Sequence, residues 1–558
     1  MRLHWLWIGE YKNLKDVTID FDQGEWITVV IGWNGTGKSN VLEALATIFR
    51  DLIMGENDNK DKNKPSFPYR IKYRCRNNLI HIDADRERAK KPYQIYVSLE
   101  DSNESQEIIN QGSIPGIESE IQDEDLGESI TLNQLRKNQD EYLPKYIFGY
   151  YSGESDRLQE VFRKYLTRYD PDLRNAKDPG FKRLFYALPV HSQFVLLAFI
   201  HQQDDVVREF LDNQLGLDPD GGIDSILFVL RQPPWNSKDG DPRFWNARGV
   251  VSNFLARLYD VSLAPIRINR QVDVSLWNKK RLEFLYLYIK DLGALQRLIG
   301  SQTPKEFFRD LESTYVSELI EEVRIRVKLR KNDGSVTFRE LSEGEQQLLT
   351  VLGLLRFTAE EESLFLLDEP DTHLNPRWSI DYLQYLEKFV GNDQASRESC
   401  HVVLTTHNPL AIAELLKQQI QILKRDMDDL SISVTPPEID PRGMGYAAIV
   451  TSDMFGLPAA IDRSTLELLE KKRELTVKEE PLNDEERSDL EEVNQKLEGY
   501  GFGYEIRDPI YTEYLRARYE YDAAQDVNQQ MSNLSRSERK ARAKTLIDRA
   551  LARRQNQD

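Results

Sequence analysis

The sequence predicts an α/β fold of two lobes, on three observations. An apolar strand, Ile27 to Ile31, runs into a glycine-rich loop and then into a helix-like segment, Val41 to Leu52. A second strand, Leu364 to Leu367, is apolar throughout and stops at paired carboxylates, Asp368-Glu369. A third, Val402 to Thr405, is followed by Thr406-His407. Short, uninterrupted apolar runs of this kind mark strands buried on both faces, as in a parallel sheet.

The remaining elements follow in chain order. Alternation marks strands at Leu3 to Ile8 and Val17 to Phe21, then at Arg70 to Arg76, Leu79 to Ile82 and Gln94 to Leu99, so residues 1–154 read as one lobe with an antiparallel β flank. Within it, Glu100 to Glu128 carries ten acidic residues and no basic one, the composition of a solvated loop. Residues 155–317 read as a large helical insertion, with runs at Phe181 to Gln202, Val206 to Leu215 and Leu282 to Leu298. Its breaks fall at Asp218-Pro219-Asp220-Gly221-Gly222 and Pro233-Pro234. A second lobe, 318–435, holds a strand at Val323 to Leu329, a helix from Gly344, the two apolar strands already named, and a strand at Gln418 to Leu423. Residues 436–558 read as a charged helical extension with a polar hinge around Lys478 to Glu486. Its basic tail, Ser535 to Asp558, has eight Lys/Arg against three Asp/Glu behind a Ser535-x-x-Glu538 capping box.

Composition narrows the classes. The longest apolar run, Phe194 to Ile200, is far short of the roughly 20 residues a membrane helix needs, so a cytoplasmic protein with no membrane contact is expected. Cys75 and Cys400 are too few and too distant for a disulfide framework or a Cys-x-x-Cys metal site, and the seven histidines show no ligand spacing. The formal net charge of −19 repels a polyanion, which makes the basic tail the candidate contact for nucleic acid or an acidic partner.

The loop carries the most specific chemistry. Gly32-Trp33-Asn34-Gly35-Thr36-Gly37-Lys38-Ser39 fits G-x-x-x-x-G-K-[ST] at every fixed position between a strand and a helix. The backbone of Gly32, Asn34, Gly35, Thr36 and Gly37 turns N–H groups around phosphates, Lys38 reaches the β and γ oxygens, and Ser39 offers its hydroxyl to Mg²⁺. ATP and Mg²⁺ are the expected cofactors. Asp368, at a strand end beside such a loop, can hold Mg²⁺ through water; Glu369 can orient or deprotonate the attacking water, and His407 can touch the γ-phosphate. Leu341-Ser342-Glu343-Gly344-Glu345-Gln346-Gln347 opens an apolar helix and forms a second anion cradle.

In this order the motifs resemble the ATP-binding-cassette superfamily, and with Asp368 to Pro376 and Thr405-Thr406-His407-Asn408-Pro409 they look like its soluble SMC/RecF/OLD branch. Transporter cassettes place the two phosphate motifs roughly a hundred residues apart; here Ser39 to Leu341 is 341 − 39 = 302. The resemblance implies a two-lobed ABC-type head and a head-to-tail homo-oligomer in which Ser342, Gly344 and Glu345 act in trans. It also implies a Q-loop glutamine near the end of the β flank, which Gln202 and Gln203 do not supply. Gly9 to Asp16, Ile147 to Gly153, Thr451 to Leu457 and Arg507-Asp508-Pro509 are further similar to restriction-system AAA-family ATPases of the PtuA (Septu and retron) type. That similarity implies an antiphage role beside an HNH-type nuclease partner. Two alternatives stand: an OLD-like nuclease using Asp426-Met427-Asp428, and a RecF/SMC-like repair ATPase.

Overall fold

The computed structural model describes residues 1–54, 64–99, 127–175, 182–218, 222–235, 237, 239–273, 279–329, 335–358, 361–391, 394–426, 429–478, 482–502 and 544. They divide into two units, 1–411 with 418–435, and 412–417 with 436–558. The acidic loop up to residue 126 and, apart from Lys544, the basic tail lie outside the described residues.

The centre of the first unit is a seven-stranded sheet in the order Ile432–Thr435, Ile420–Arg425, Ile27–Gly32, Cys400–Thr405, Ser363–Asp368, Tyr146–Tyr151, Leu184–Tyr186. All pairings are parallel except that of the outermost Ile432–Thr435. Val30 stands opposite Thr405, Thr405 opposite Asp368, and Asp368 opposite Tyr151, so these strands end on one rim.

A six-stranded antiparallel sheet forms the β flank, in the order Leu14–Asp20, Arg2–Tyr11, Tyr69–Cys75, Asn78–Ala84, Tyr93–Leu99, Glu128–Ile130. The helix Lys38–Met54 packs between the two sheets. Its Val41, Leu45, Ile48 and Phe49 share one core with Leu3, Leu6, Ile71 and Ile80 of the flank and with Leu364, Leu366 and Val403 of the central sheet. A helix covered on both sides explains why Val41 to Leu52 is apolar nearly all round.

The insertion is helical over Arg157–Arg174, Val190–His201, Gly249–Val261, Leu292–Ile299 and Pro304–Val316, but it also carries three strands that the helical reading of 155–317 leaves out, in a five-stranded sheet completed by Ser335–Thr337 and by Ile320–Lys328, where the sequence expects a strand at Val323 to Leu329. Its order is Leu263–Asp273, Lys279–Ile289, Ile223–Arg231, Ile320–Lys328, Ser335–Thr337, all antiparallel. Leu282 to Leu298 is thus a strand followed by a helix. Phe284, Leu285, Leu287 and Ile289 are all buried, so both faces of the strand are apolar and its period of two is masked. Phe181 to Gln202 divides in the same way at Leu188-Pro189: Leu184–Tyr186 adds to the central sheet before Val190–His201 begins, because a residue preceding proline is driven out of the helical region. In the second unit Arg463–Val477 packs on Asp484–Gly499, whose start at the polar hinge is fixed by an Asn483/Glu486 capping box.

A buried charge cluster joins three parts of the insertion. Lys182 Nζ donates to Glu312 Oε1 (2.5 Å), and His191 Nε2 lies 2.6 Å from Glu312 Oε2. Leu188 N donates to His191 Nδ1 (2.8 Å), which leaves the ring proton on Nε2. Desolvation works against the Glu312 charge, yet Lys182 and His191 together hold its carboxyl below the ordinary range. Glu312→Ala removes the carboxylate that the buried Lys182 and His191 share and is expected to lower stability by about 3–5 kcal/mol at neutral pH. A depressed folded pKa contributes stability above the ordinary carboxylate value and loses it as pH falls through the folded value, so the gap between wild type and variant should close in acid. Thermal unfolding followed by circular dichroism from neutral to acidic pH measures both effects.

Candidate active site

The phosphate loop is shaped by glycines that no other residue could replace without displacement. Gly32 (φ 154°) and Gly37 (φ 98°) are in the left-handed region; a Cβ would stand 2.5 Å from Leu423 O at the first and 2.8 Å from Asn13 Oδ1 at the second. Thr36 Oγ1 donates to Trp33 O (2.8 Å), closing the turn, while Asn34 and Gly35 are exposed at its tip. Lys38 Nζ donates to Gly32 O (2.9 Å) and Trp33 O (3.5 Å), lying across the cradle it would vacate for phosphate. Burial lowers the pKa of the Lys38 ammonium, against the opposing pull of Glu369 and Asp368.

Sequence reasoning did not assign a role to Asn13. It sits in the hairpin turn between the first two strands, next to Lys12 (φ 55°). Asn13 Nδ2 donates to Gly35 O (2.9 Å) and its Oδ1 accepts from Asn40 Nδ2 (2.5 Å), bracing the loop from the flank. The signal was present in the Tyr11-Lys12-Asn13-Leu14 turn, but only the packing of the flank beside the central sheet reveals what the asparagine faces.

At the carboxylate rim, Thr405 Oγ1 donates to Asp368 Oδ1 (2.5 Å) and accepts from Glu369 N (3.1 Å). Desolvation raises the pKa of Asp368 and Glu369 adds to the rise, while hydrogen bonds from Thr405 and Ser39 and the charge of Lys38 oppose it. Glu369 has φ 50°, a left-handed backbone that costs a residue with a Cβ about 1–3 kcal/mol and gathers at functional sites. His407 Nδ1 lies 3.3 Å from Glu369 Oε1. The Ser39 hydroxyl, which helps to hold the Asp368 pKa down, and the Asp368 carboxylate are the hard oxygen donors Mg²⁺ prefers, and a divalent cation would relieve the desolvation that lifts Asp368.

The second cradle is built differently. Ser342 Oγ accepts from Glu345 N (3.3 Å), and Glu345 Oε2 accepts from Ser342 N (2.7 Å) and Oγ (2.9 Å), so Glu345 closes a capping box at the helix Glu343–Thr358. A Cβ on Gly344 would meet His373 O at 2.5 Å. His373 lies 3.5 Å from Glu343 Oε2 through Nδ1 and 3.3 Å from Ser152 O through Nε2. Gln347 Nε2 donates to Pro370 O, and Thr406 Oγ1 donates to Asp371 Oδ2 (2.9 Å). The cradle therefore rests on the turn that follows Glu369. Among the described residues Ser342, Gly344 and Glu345 make no hydrogen bond or ion pair to Gly32 through Ser39.

Two other expectations have definite outcomes. Among the described residues no glutamine bonds to Lys38, Asp368 or Glu369: Tyr146–Tyr151 runs beside Ser363–Asp368, and the residue leaving it, Ser152, donates its N–H to Asp368 O (3.3 Å). Asp426 sits in the hairpin between Ile420–Arg425 and Ile432–Thr435, its N–H on Ser431 O (2.9 Å), while residues 427–428 lie outside the described residues. A hairpin turn is not the strand setting that a nuclease Asp-x-Asp needs.

A phosphate loop, a carboxylate-ended strand two places away and a histidine-ended strand between them, on a parallel sheet with an antiparallel flank, define a P-loop ATPase fold of ABC type. Residues 1–181 match the AAA ATPase domain family, and residues 236–413 match an AAA domain family described as putative AbiEii toxin, Type IV TA system. The chain is similar to the retron Vc95 probable ATPase of Vibrio cholerae serotype O1 biovar El Tor, 21% identical over 84% of this chain and 82% of that one. It is also similar to the Septu protein PtuA of Bacillus mycoides, 22% identical over 40% of this chain and 32% of that one. Among solved structures, the SMC head domain from Thermotoga maritima aligns with 79% of this chain and all (100%) of its own, at 11% identity and a TM-score of 0.31. A second SMC head, bound to the winged-helix domain of ScpA, aligns with 78% of this chain and 98% of its own, at 12% identity and a TM-score of 0.33. The chain thus has the fold of an ABC-type P-loop ATPase and is similar to ATPases of defence systems.

No helix among the described residues is long and apolar enough to cross a membrane. Asn13→Ala removes one brace from the phosphate loop and is expected to weaken ATP binding about fivefold while the melting temperature barely moves, as fits the loss of its one hydrogen bond to the loop, with the bond to Asn40 lost beside it. Isothermal titration with ATP beside a thermal melt checks this.

Proposed function

We propose that the chain hydrolyses Mg²⁺-ATP in a head-to-tail homo-oligomer and uses that cycle to gate a partner nuclease, of HNH type, in antiphage defence. The observation that carries the reading is the convergence of Lys38, Ser39, Asp368, Glu369 and His407 around one rim of the central sheet. Similarity to a retron ATPase and a Septu protein supports the defence setting.

The chain's own residues account for the chemistry. Lys38 exchanges the Gly32 and Trp33 carbonyls for the β and γ oxygens of ATP, and the loop N–H groups hold the remaining charge. Glu369, fixed in position by Thr405, takes the proton of the attacking water, with His407 beside its Oε1 as the γ-phosphate contact. Ser39 and Asp368 would hold Mg²⁺, which would supply charge neutralisation on the phosphates. Ser342, Gly344 and Glu345 of one subunit close over the loop of another, the capping box presenting the helix N-terminus. The hairpin setting of Asp426 gives a nuclease within the chain no support.

Lys38→Ala is expected to lose ATP binding, whereas Glu369→Gln binds ATP and turns it over about a hundredfold more slowly or worse, since an amide cannot accept the proton. Titration and phosphate release separate the two; wild-type turnover in Glu369→Gln would remove Glu369 from its role.

Mixing Lys38→Ala with Ser342→Arg subunits should restore part of the ATPase activity, because one composite site in such a dimer keeps both halves. The purified chain alone, with Mg²⁺ and with or without ATP, should leave plasmid, linear DNA and tRNA intact, and cleavage should appear only when the partner is added. Absence of rescue in confirmed mixed dimers counts against the trans site, and cleavage by the chain alone counts against gating.

A further inference from the structure

A cavity of about 620 Å³ opens beside the five-stranded sheet of the insertion and shares no lining residue with the phosphate loop. Its volume falls in the range of small-molecule sites. Its walls include Trp235, Trp245, Arg231, Gln232, Lys280 and Glu318.

Three of the ten non-glycine residues with left-handed backbone among the described residues stand in this wall: Trp245 (φ 52°), Asn246 (φ 62°) and Glu318 (φ 58°). Each occupies a conformation that disfavours a Cβ, and such outliers gather where function over-determines the backbone. Glu318 stands just past the helix Pro304–Val316, at a position glycine usually fills. Trp245 and Asn246 follow one another in a loop held by Asn246 Nδ2 on Ser237 O (2.9 Å) and Asn246 N on Asp241 O (2.9 Å).

The indoles are fixed in place before any ligand arrives. Trp245 Nε1 donates to Glu283 Oε2 (2.9 Å), with Arg267 5.7 Å from its ring centroid, and Trp235 Nε1 donates to Ser317 O (2.8 Å). Arg231 is neutralised by Glu321 (2.9 Å) and Glu318 (3.9 Å). Lys280 is exposed and makes no ion pair among the described residues. Flat aromatic faces, one unspent cation, and a carboxylate beside an amide form the donor and acceptor set that stacks a base, pairs a phosphate and reads an amine-bearing edge. A second cavity, about 470 Å³, shares Arg231 and Glu318 and leaves room for a neighbouring nucleotide.

We propose that this cavity binds a nucleobase carrying a phosphate, with an indole on the base, Lys280 on the phosphate, and Glu318 with Gln232 on the base edge. The ligand is either a free nucleotide or a base of a single strand. The test is tryptophan-fluorescence and calorimetric titration of the full chain carrying Lys38→Ala, so that the phosphate loop does not contribute. The probes are adenosine monophosphate, which lacks the β and γ phosphates, and a short single-stranded oligodeoxyadenylate, with choline as a cation control. Trp245→Ala and the surface change Lys280→Glu are each expected to weaken nucleotide or oligonucleotide binding about tenfold. Saturation by the mononucleotide identifies the free source; saturation by the oligonucleotide alone identifies the single strand. Binding of neither probe, binding of choline only, or binding that both variants leave unchanged overturns the proposal. Lys280→Glu, on an exposed strand position, keeps the test valid should Trp245→Ala fold poorly.

Discussion

The Thr405 hydroxyl donates to the Asp368 carboxylate and accepts from the Glu369 amide, and much of the site depends on that one group. It is buried between parallel strands whose register puts Thr405 opposite both Val30 and Asp368. The register aligns the strand ends. The hydroxyl then fixes which way the chain leaves them, holding Glu369 in a left-handed backbone that its own sequence disfavours. Ser39 and Lys38 of the phosphate loop both act to lower the pKa of the same Asp368, so loop and rim are coupled electrostatically through one carboxylate. A valine at 405 would fit the volume but leave the Asp368 oxygen and the Glu369 N–H without this partner.

From Glu369 onward the chain is committed to a short turn that touches everything else. Gly344 packs on His373 O, Gln347 reaches Pro370 O, Asp371 accepts from Thr406, and His373 lies between Glu343 and Ser152. Close-packed contacts of this kind are not elastic. A displacement of the helix Glu343–Thr358 must therefore be transmitted to the backbone carrying Glu369. Chemistry at one phosphate site and the state of the second cradle are coupled inside a single chain, before any second subunit is considered.

Much of this was legible in the sequence for a physical reason. Strands buried on both faces read as unbroken apolar runs, and the phosphate loop needs glycines at fixed spacing, so the central strands, the loop and the carboxylate pair all stood out. The β flank was legible through alternation. The insertion was not: Phe284 to Ile289 carries an apolar or aromatic residue at every position, and the helical reading of Leu282 to Leu298 counted that run as a helix face. Glu345 was read with the trans motif, whereas the Ser-x-x-Glu spacing also encodes the capping box it forms. Asn13 lay beyond reach for a different reason, since its contact is to a loop residue 22 positions away, brought to it only by the fold.

The order of strands in the central sheet bears on how the protein is made. Ile27–Gly32, which delivers the phosphate loop, has as neighbours Cys400–Thr405 and Ile420–Arg425 and no strand from the first half of the chain. Arg2 likewise reaches the carbonyls of Arg397 and Cys400, and Leu3 N donates to His401 Nδ1. During translation the glycine-rich loop leaves the ribosome early, yet its flanking strand stays unpaired for the roughly 20–80 s that about 400 further residues take at 5–20 residues per second. A truncated nascent chain thus carries the loop motif with the flank and its Asn13 brace but without the central-sheet neighbours of its strand, and the ATP site assembles only after the last of these strands has emerged.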